Sequence, residues 1–436
     1  MPSSAVRGLA VGVLAAVVLA LGAGGATLDR DAVRKASAAA REAYDQKDYP
    51  SFLRHSRTLA GLTPRSTRAL YNLACAQSLT GDVEGALTTL GRLAGWGVAF
   101  DIDGDADFDP VRDTEGFRRL SARMEALEEP LGGSPVAFTL PEKDLLAEGV
   151  AHDPKTGAFF VTSVHRRKVV RVDAGGRATD FVPEGRDGLF SAVGVVADPA
   201  RRALWVTSEA GPLMVGFGKE DEGRSLLLEY DLDDAALRRQ IEPPVAGGRV
   251  SDLTLGPDGS LYAADPAAGR VYRLPPGGDR LEVLVGEGPI VSAQGLAASP
   301  DGRLLFVADY VQGIARVALE TGDVTFLDTP EDLLVSGIDG LVLAGDSLVG
   351  IQNGLRPHRV VRLRLDPARP RITEGTVLER AHPRFDEPTL GAVVGDALYY
   401  VANSQYRHFG ADGAPDREHL QEPVVLRLAL PWLSGD

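Results

Sequence analysis

The sequence predicts a mainly β protein, namely a six-bladed β-propeller preceded by a small α-helical domain. Two observations in the 436 residues lead to this prediction. First, an apolar strand, a tight turn and a second apolar strand occur together six times, at intervals of roughly 43 to 58 residues, which is typical of four-stranded propeller blades. Second, the segment ahead of the first hairpin has apolar residues at helical spacing instead of the alternation of a strand.

The composition agrees with this fold and excludes one class of function. The 50 Gly and 28 Pro suit a chain with frequent reversals, and 44% apolar residues are enough for a sizeable core. Asp and Glu outnumber Lys and Arg by 61 to 46, which gives a net charge of −15. A surface of that charge repels nucleic acid and attracts cations, so we expect no nucleic-acid partner.

Residues 1–26 have the pattern of an export signal. Arg7 precedes an apolar run, LAVGVLAAVVLAL, and small residues surround a candidate cleavage site after Ala26. The run is shorter than the roughly 20 residues that a membrane-spanning helix needs. We therefore predict an exported protein, periplasmic or extracellular, with no stable membrane span after cleavage. An uncleaved anchor is the alternative.

Residues 27–127 form the predicted helical domain. Two units align at a spacing of about 34 residues, and Gly81 in the second unit stands where the first has Lys47. The aligned pairs are Asp48 with Asp82, Phe52 with Ala86, and Ser56 with Leu90. The pattern resembles the tetratricopeptide repeat, which implies a module that docks a protein partner; a structural cap on the propeller is the alternative. We expect the lone Cys75, in its apolar helical setting, to be a small core residue.

Carboxylates alternate in DIDGDADFD, from Asp101 to Asp109, as they do at the start of an EF-hand calcium loop. Such a loop needs Gly at its sixth position and Glu at its twelfth, and neither register of this run provides them. We therefore favour helix capping and solvation over calcium binding in this run.

Residues 128–135 are the predicted linker and residues 136–436 the predicted propeller. Propellers commonly complete the last blade with strands from both chain ends, because an open sheet edge exposes unpaired backbone groups. VAFTL from Val136 and VVLRLAL from Val424 are the natural partners for this closure. Within each hairpin the first strand lies along the channel and the second returns beside it, so both hairpin ends lie at the same mouth of the channel.

Most of these hairpin ends carry polar side chains. The first positions of the six hairpins are Glu148, Val193, Ser251, Gln294, Asp339 and Thr389, and the return positions are Ser163, Ser208, Asp265, Asp309, Asn353 and Asn403. We therefore predict a channel mouth ringed with side-chain oxygen atoms. Hard divalent cations take such ligands; the alternative is that these residues only solvate a water-filled bore.

From Leu146 to Asn403 the chain resembles the senescence-marker-protein, gluconolactonase and regucalcin-like family of six-bladed propellers. Glu148 in LLAEGVAHDP and Asp339 in SGIDGLVL match two metal ligands of that family. Gln294 in AQGLAASPDG stands where the family has Asn; it keeps the amide oxygen but is one methylene longer.

A second family feature is an Arg-x-Asn-Asp motif. In GGRVSDLTLGPDG, Arg249 and Asp252 match it, while Ser251 replaces the Asn. A hydroxyl binds a hard cation less readily than a carboxamide does, so the substitution bears on catalysis more than on the fold.

The resemblance implies a divalent metal ion at the mouth, Ca²⁺ or alternatively Zn²⁺, Mn²⁺ or Mg²⁺. The expected ligands are Glu148, Gln294, Asp339 and Ser251. It also implies hydrolysis of a lactone or small ester, with Asp339 as both ligand and general base. The residues expected to bind this substrate, or another sugar-like ligand, are Arg249, Asp252, Asp309, Asn353 and Asn403.

Alternatives to these roles remain open at this stage. Arg249 could equally form a surface salt bridge. The whole chain could be a non-catalytic propeller that binds a ligand or a partner, with the helical module used for docking. We expect His165 to be an exposed loop residue, and Gly211–Ser225 to be an ordinary inter-strand loop in preference to a lid.

Overall fold

The computed structural model describes residues 28–434. The predicted signal sequence lies outside the described residues. Within them, no helix is both long enough and apolar enough to cross a membrane. The described chain forms a helical domain followed by a six-bladed propeller, as the sequence predicts.

Between residues 28 and 135 the chain forms five α-helices, and a side chain caps the first turn of each one. They are α1 (Arg30–Asp45), α2 (Tyr49–Leu62), α3 (Thr67–Leu79), α4 (Val83–Gly95) and α5 (Glu115–Leu127). Each helix contacts the next, so α1–α2 and α3–α4 are stacked hairpins and α5 packs on α4. Cys75 is buried in the core of this domain, as expected.

The two hairpins of the helical domain are equivalent in detail. Asp48 and Asp82 cap α2 and α4 by accepting hydrogen bonds from backbone N–H groups three residues later, at 3.2 and 3.1 Å. The residue before each cap is left-handed, with φ of 58° at Lys47 and 79° at Gly81. Glycine adopts this conformation freely, whereas a lysine pays about 1 kcal/mol for it. The assignment of these hairpins to the tetratricopeptide family stays a prediction.

Six four-stranded antiparallel sheets follow, each forming one blade. Blade 1 contains β2 (Ala147–Asp153), β3 (Ala158–Ser163), β4 (Lys168–Val172) and β5 (Ala178–Val182); blade 2 contains β6 (Ser191–Asp198), β7 (Ala203–Glu209), β8 (Ser225–Asp231) and β9 (Leu237–Ile241). Blade 3 contains β10 (Leu253–Leu255), β11 (Leu261–Asp265), β12 (Arg270–Leu274) and β13 (Glu282–Val285). Blade 4 contains β14 (Ala293–Ala298), β15 (Leu304–Asp309), β16 (Gly313–Ala318) and β17 (Val324–Phe326). Blade 5 contains β18 (Ile338–Ala344), β19 (Ser347–Gln352), β20 (Arg359–Leu365) and β21 (Ile372–Arg380).

Blade 6 combines both ends of the propeller, as predicted. Its order is β1 (Val136–Thr139), β24 (Val424–Ala429), β23 (Ala397–Val401) and β22 (Gly391–Val394). The first strands of the blades contact one another in sequence and β22 contacts β2, so the ring of inner strands is closed. A separate apolar cluster fills each of the six interfaces between neighbouring blades. These clusters bury the faces of the sheets and thereby hold the blades around the channel.

A bulge recurs near the start of the inner strands, where the strand pairing shifts register. The bulge places a glycine against the next blade, and the residue before that glycine is polar in blades 1, 4 and 5. A Cβ atom on Gly295 would lie 2.6 Å from the carbonyl oxygen of Asp339, and one on Gly340 would lie 2.6 Å from that of Thr389. Only glycine allows the inner strands to approach this closely. The Gly in the repeated sequence pattern therefore brings the residue before it to the channel mouth.

The helical domain packs on the mouth side of blades 4 and 5. Leu334 and Leu355, from loops of blade 5, lie within the apolar core of the helical domain. Arg359 is 3% exposed and donates hydrogen bonds to the carbonyl oxygens of Trp96 and Gly97 at the end of α4, at 2.9 and 3.3 Å. Because helix carbonyls at a C-terminus lack intrahelical partners, the guanidinium stabilises this contact between domains.

Candidate functional site

A cavity of about 410 Å³ occupies the central channel. The inner strands line it mainly with backbone and apolar side chains, and its ionisable lining residues are His152 and Asp252. Asp252 stands in blade 3 where most other blades have the close-packing glycine, so it adds a carboxyl group at the mouth end.

Four carboxyl groups lie near one another at this mouth, and we call them the acidic centre. They are Glu148, Asp252, Asp339 and Glu387. Burial raises the pKa of Glu148 well above its usual value, and the charges of Asp339, Glu387 and Asp252 raise it further. Burial also raises the pKa of Asp339.

The other two members of the acidic centre behave in the same way. Burial, with a contribution from Asp339, raises the pKa of Asp252 to about 7. Burial and the charges of Asp339 and Asp386 raise the pKa of Glu387 to about 7, although Arg356 and Arg407 oppose this. Within residues 28–434, none of the four acidic-centre carboxyl groups forms a salt bridge. A compensating positive charge would therefore lower all four pKa values together.

Glu148 is 6% exposed and is held by the long loop of blade 6. Its Oε2 accepts hydrogen bonds from the Tyr406 hydroxyl at 3.1 Å and from Ser404 at 3.4 Å. Its backbone carbonyl oxygen accepts from the Thr389 hydroxyl at 2.9 Å. The first and last blades therefore fix Glu148 between them.

Asp339 is held by Asn353 of the same blade. The Asn353 side-chain amide donates to Oδ2 of Asp339 at 2.6 Å, and its Oδ1 accepts from the Tyr310 hydroxyl at 3.0 Å. Both ends of the amide are thus engaged. The sequence prediction that Asn353 lies at the mouth agrees with this geometry.

Gln294 and Ser251, two of the cation ligands expected from the sequence, are also at the mouth. The Gln294 side-chain amide donates to the Ser292 hydroxyl at 3.2 Å, and among the described residues nothing donates to its carbonyl oxygen. The Ser251 backbone pairs with Ala264, and its carbonyl oxygen accepts from Thr207. The amide oxygen of Gln294 is consequently available to a ligand.

Arg249 lies farther out, between blades 2 and 3. Its guanidinium is 4.0 Å from Oε2 of Glu209, and its side chain is 43% exposed. That Glu209 oxygen is buried and accepts no hydrogen bond from the described chain. Burial raises the pKa of Glu209, while Arg249 opposes the increase. Both the substrate-binding role and the ion-pair role of Arg249 are compatible with this arrangement.

The structure does not bring Asp309 or Asn403 to the channel. Asp309 is 0% exposed and accepts hydrogen bonds from the backbone N–H groups of Val291, Val311 and Gln312 at 2.7 to 3.2 Å. Asn403 bonds the backbone of Glu422 and Val424, at 3.0 and 2.7 Å. Both side chains fix loops at the mouth instead of facing a ligand.

The reason is the strand register. Asp309 pairs with Ala293, the residue before Gln294, and Gln352 pairs with Ile338, the residue before Asp339. Gln352, which is buried and donates to the Leu334 carbonyl oxygen, is thus the true counterpart of Asp309. Asn353 is the next residue along the chain after Gln352, and its side chain bonds Asp339 in the acidic centre.

Sequence reasoning missed three residues of the site. Tyr310 and Tyr406 bring phenol groups to the acidic centre, and Glu387 brings a carboxyl group from the loop before β22. The backbone of Glu387 is in the left-handed conformation, with φ of 66°, which is strained for residues other than glycine or asparagine. Their shared signal is position, because each lies within a few residues of a hairpin end at the mouth.

The helical domain lies beside blades 4 and 5, and on the other side of the same mouth two loops, from blades 2 and 6, cover the channel. Leu213, from the long loop of blade 2, packs with Phe409 and Leu420 from the loop of blade 6. His165 is buried beneath them, with Nδ1 2.7 Å from the Leu213 carbonyl oxygen, so the prediction of an exposed His165 is wrong. Gly211–Ser225, which we expected to be an ordinary inter-strand loop, therefore contributes to the cover over the mouth.

The acidic run of the helical domain brings two carboxyl groups close to Cys75. Among the described residues, only Cys75, Asp105 and Asp107 form a group of three His, Cys, Asp or Glu whose ligand atoms all lie within 4.8 Å of one another. The Tyr71 hydroxyl donates to Asp105 at 2.6 Å and the Tyr44 hydroxyl donates to Asp107 at 3.1 Å. These bonds, with the cap that Asp105 gives the following turn, agree with a capping role.

The propeller is similar to several solved structures. Regucalcin, a calcium-binding protein from Agrobacterium tumefaciens, is 19% identical over 68% of this chain and 95% of that chain, with a TM-score of 0.48. A gluconolactonase from Xanthomonas campestris is 16% identical over 69% of this chain and 100% of that chain, with a TM-score of 0.45. Virginiamycin B lyase from Staphylococcus aureus is 16% identical over 66% and 82% respectively, with a TM-score of 0.44. At these identities the similarity concerns architecture alone.

No protein-family model matches the chain, and no curated protein matches it.

Proposed function

We propose that this chain is an exported hydrolase that uses a divalent cation to cleave a lactone or small ester at the propeller mouth. The acidic centre carries the proposal. Glu148 and Asp339 are enclosed carboxyl groups whose negative charges oppose each other, and neither has a salt-bridge partner among residues 28–434. A cation would remove that repulsion.

The donor set fits a hard cation. Glu148, Asp339 and Gln294 offer two carboxylates and one amide oxygen, which are ligands that Ca²⁺ accepts together with water. Their oxygen atoms come from blades 1, 4 and 5, so the ring itself would set their spacing. Ser251 is the fourth proposed ligand, through its hydroxyl or a water molecule. Calcium is favoured because no thiolate or imidazole belongs to the set, with Zn²⁺, Mn²⁺ and Mg²⁺ as the other candidates.

A bound cation would polarise the ester carbonyl and make a water molecule more acidic. Asp339 would accept a proton from the attacking water as the general base. Water adds to the carbonyl carbon, the bond to the alcohol oxygen breaks, and that oxygen takes up the proton. Arg249 and Asp252 would bind the polar groups of a sugar-like substrate near the opening.

A screen of lactones and aryl esters tests the proposal directly. Wild-type protein should hydrolyse at least one substrate, chelation should abolish the activity, and Glu148→Ala or Asp339→Ala should lower kcat/KM by at least about 100-fold. Glu125→Ala, which removes an exposed carboxyl group from α5, is the matched control. Hydrolysis that survives both chelation and Asp339→Ala would contradict the proposed site.

The second candidate is a non-catalytic propeller that binds a ligand, or a protein partner through the helical module. Two observations favour it: Gln294 and Ser251 depart from the family pattern, and no three carboxylates of the acidic centre lie within 4.8 Å of one another in the described chain. Cation-dependent thermal stabilisation without turnover of any ester would support this reading.

Export is part of the proposal and rests on residues 1–26. Expression of the full chain and of a form lacking these residues, followed by fractionation and N-terminal sequencing, provides the test. We expect the exported protein to begin at Thr27. Retention of the full chain in the cytoplasm would contradict export.

A further inference from the structure

Tyr310 lies at the contact between the two domains. Its ring packs against an apolar cluster to which both domains contribute. The buried members are Leu28, Val33, Ala36, Leu59 and Ala69 from the helical domain, and Val291 and Val311 from the propeller. Residues of α1, α2 and α3 therefore belong to the apolar cluster on which the Tyr310 ring packs.

Glycine backbone also packs against the Tyr310 side chain. A Cβ atom on Gly354 would lie 2.7 Å from both Cζ and the hydroxyl oxygen of Tyr310. The Gly337 N–H donates to the Tyr310 carbonyl oxygen at 2.7 Å, and the Gly354 N–H donates to the Gly337 carbonyl oxygen at 3.1 Å. The phenol is thus clamped between the helical domain and the Gly354 backbone.

The clamped phenol points at the acidic centre. Its hydroxyl donates to Oδ1 of Asn353 at 3.0 Å, and the amide nitrogen of Asn353 donates to Asp339 at 2.6 Å. The ionised Asp339 only accepts, so it decides that the nitrogen end of the Asn353 amide faces it, while the bond with the Tyr310 hydroxyl fixes where the other end of the amide lies. Tyr310 thereby holds the Asn353 amide where its nitrogen reaches Asp339.

Hydrogen bonds between the two domains also stabilise the contact beside Tyr310. The Arg359 guanidinium bridges Gln352 and the end of α4, and Trp96 donates to the Glu331 carbonyl oxygen at 2.9 Å. The Arg65 guanidinium donates to the Leu333 carbonyl oxygen at 2.8 Å. These bonds surround the loops that carry Asn353 and precede Asp339.

We propose that the helical domain is a working part of the site, because it holds Tyr310 as a positioning residue that orients Asn353 and, through it, Asp339. The inference rests on the proposed function, in that Asp339 is taken as a cation ligand. It adds that the propeller alone lacks a fully ordered site.

The first test compares cation affinity in Tyr310→Phe and wild type, using Tb³⁺ as a luminescent stand-in for Ca²⁺. Phenylalanine keeps the ring packing and removes only the hydroxyl. We expect an affinity loss of about 10-fold, the size typical of an outer-shell partner, with the cation-free melting temperature nearly unchanged. Tyr399→Phe, which removes a phenol bonded to Arg427 on an outer part of blade 6, should leave affinity unchanged. Equal affinity in Tyr310→Phe and wild type would overturn the proposal.

A second test asks whether the helical domain acts through Tyr310. Val33→Ala loosens the apolar cluster on which the Tyr310 ring packs, whereas Met124→Ala creates a larger cavity at α5, in the other apolar core of the helical domain. Val33→Ala should weaken Tb³⁺ binding in wild type and have no further effect in Tyr310→Phe, and Met124→Ala should have little effect in either. Additive losses from Val33→Ala and Tyr310→Phe would contradict the route through Tyr310.

A third measurement separates this inference from the proposed function. The side-chain amide signals of Asn353 are observed by NMR in asparagine-labelled protein without cation and assigned with Asn353→Ala. They should shift in Tyr310→Phe but not in Tyr399→Phe. Unchanged signals would overturn the positioning role. Tb³⁺ binding that persists in Asp339→Ala would instead refute the proposed cation site, while the NMR result still decides on Tyr310.

Discussion

Blades 4 and 5 each have a polar residue at or just after the end of the second strand, Asp309 and Asn353, and these two residues have different roles. Asp309 in blade 4 is buried and accepts hydrogen bonds from backbone N–H groups, whereas Asn353 in blade 5 bonds Asp339 in the acidic centre. The buried counterpart of Asp309 is Gln352. Because neighbouring strand residues point to opposite sides, one step along the chain exchanges a structural role for a role in the site.

The largest effect on stability should come from a substitution at Asp309 in blade 4. Asp309→Ala leaves several buried N–H groups without an acceptor, so we expect a loss of about 3 kcal/mol in the free energy of unfolding. Urea denaturation measures this. Cation affinity of the protein that remains folded should be unchanged. A stable Asp309→Ala variant with reduced cation affinity would reverse the roles assigned to the two blades.

Blade 3 extends the comparison, because Asp252 occupies the close-packing position itself. Asp252 and Glu387 have pKa values of about 7, above the usual values in an unfolded chain. Folding therefore favours their protonated forms, so their contribution to stability is complete below about pH 4 and is lost as pH rises to about 7. For cation-free protein we expect a loss of about 2 kcal/mol between pH 5 and 7.5, allowing for partial solvation.

Thermal unfolding across this pH range, with and without Ca²⁺, checks the prediction. Saturating cation should flatten the profile, because it replaces protons as the source of positive charge. Asp252→Asn should also flatten part of it in cation-free protein. A cation-free protein that becomes more stable between pH 5 and 7.5 would contradict the raised pKa values.

A substitution at Asn353 in blade 5 should change cation affinity more than it changes the free energy of unfolding. Asn353→Ala removes a donor to Asp339 from a partly exposed side chain, so we expect a 10-fold weaker cation affinity, about 1.4 kcal/mol, with a smaller change in unfolding free energy. Isothermal titration with Ca²⁺ measures the affinity. Asn353→Asp, which adds a fifth carboxyl group beside Asp339, is a useful partner variant. Tight binding in Asn353→Ala would show that Asp339 needs no support from blade 5.

The smallest effect should come from a second structural return position. The Ser208 hydroxyl is buried and accepts from the Phe190 N–H at 2.8 Å, as a weaker form of the Asp309 arrangement. Ser208→Ala should cost about 1 kcal/mol in unfolding free energy and leave cation binding unchanged. Urea denaturation beside Asp309→Ala provides the comparison. A cation-binding defect in Ser208→Ala would place this position in the site after all.

The sequence was sufficient for the architecture because its signals are local and repeated. Each hairpin carries its own turn and alternation, and six copies define the ring; the pairing of Val136 with Leu426 followed from the need to close the last edge. The first positions Glu148, Gln294 and Asp339 were also within reach, since the following glycine marks where the strand comes close to its neighbour.

The remaining part of the site was beyond sequence reasoning. The sequence aligned Asn353 with Asp309, and only strand pairing shows that Gln352 is the counterpart. Tyr310 and Glu387 lie just outside the repeated hairpin positions, and long-range packing brings them to the acidic centre. Periodicity contains no information about such packing, so the cover over the mouth had no signature either.

The closure of blade 6 also has a consequence for how the protein is made. β1 is the first propeller strand to leave the ribosome, and its partner β24 is the last strand of the described chain. Until synthesis ends, β1 and the growing edge of the ring have no permanent partner, so the chain passes through a long interval with open strand edges. Pairing over such a sequence distance is slow, and a chain that is exported before β24 has paired would cross the membrane without having folded. The helical domain, which needs only nearby residues for its own hairpins, is free to form first and to await blades 4 and 5.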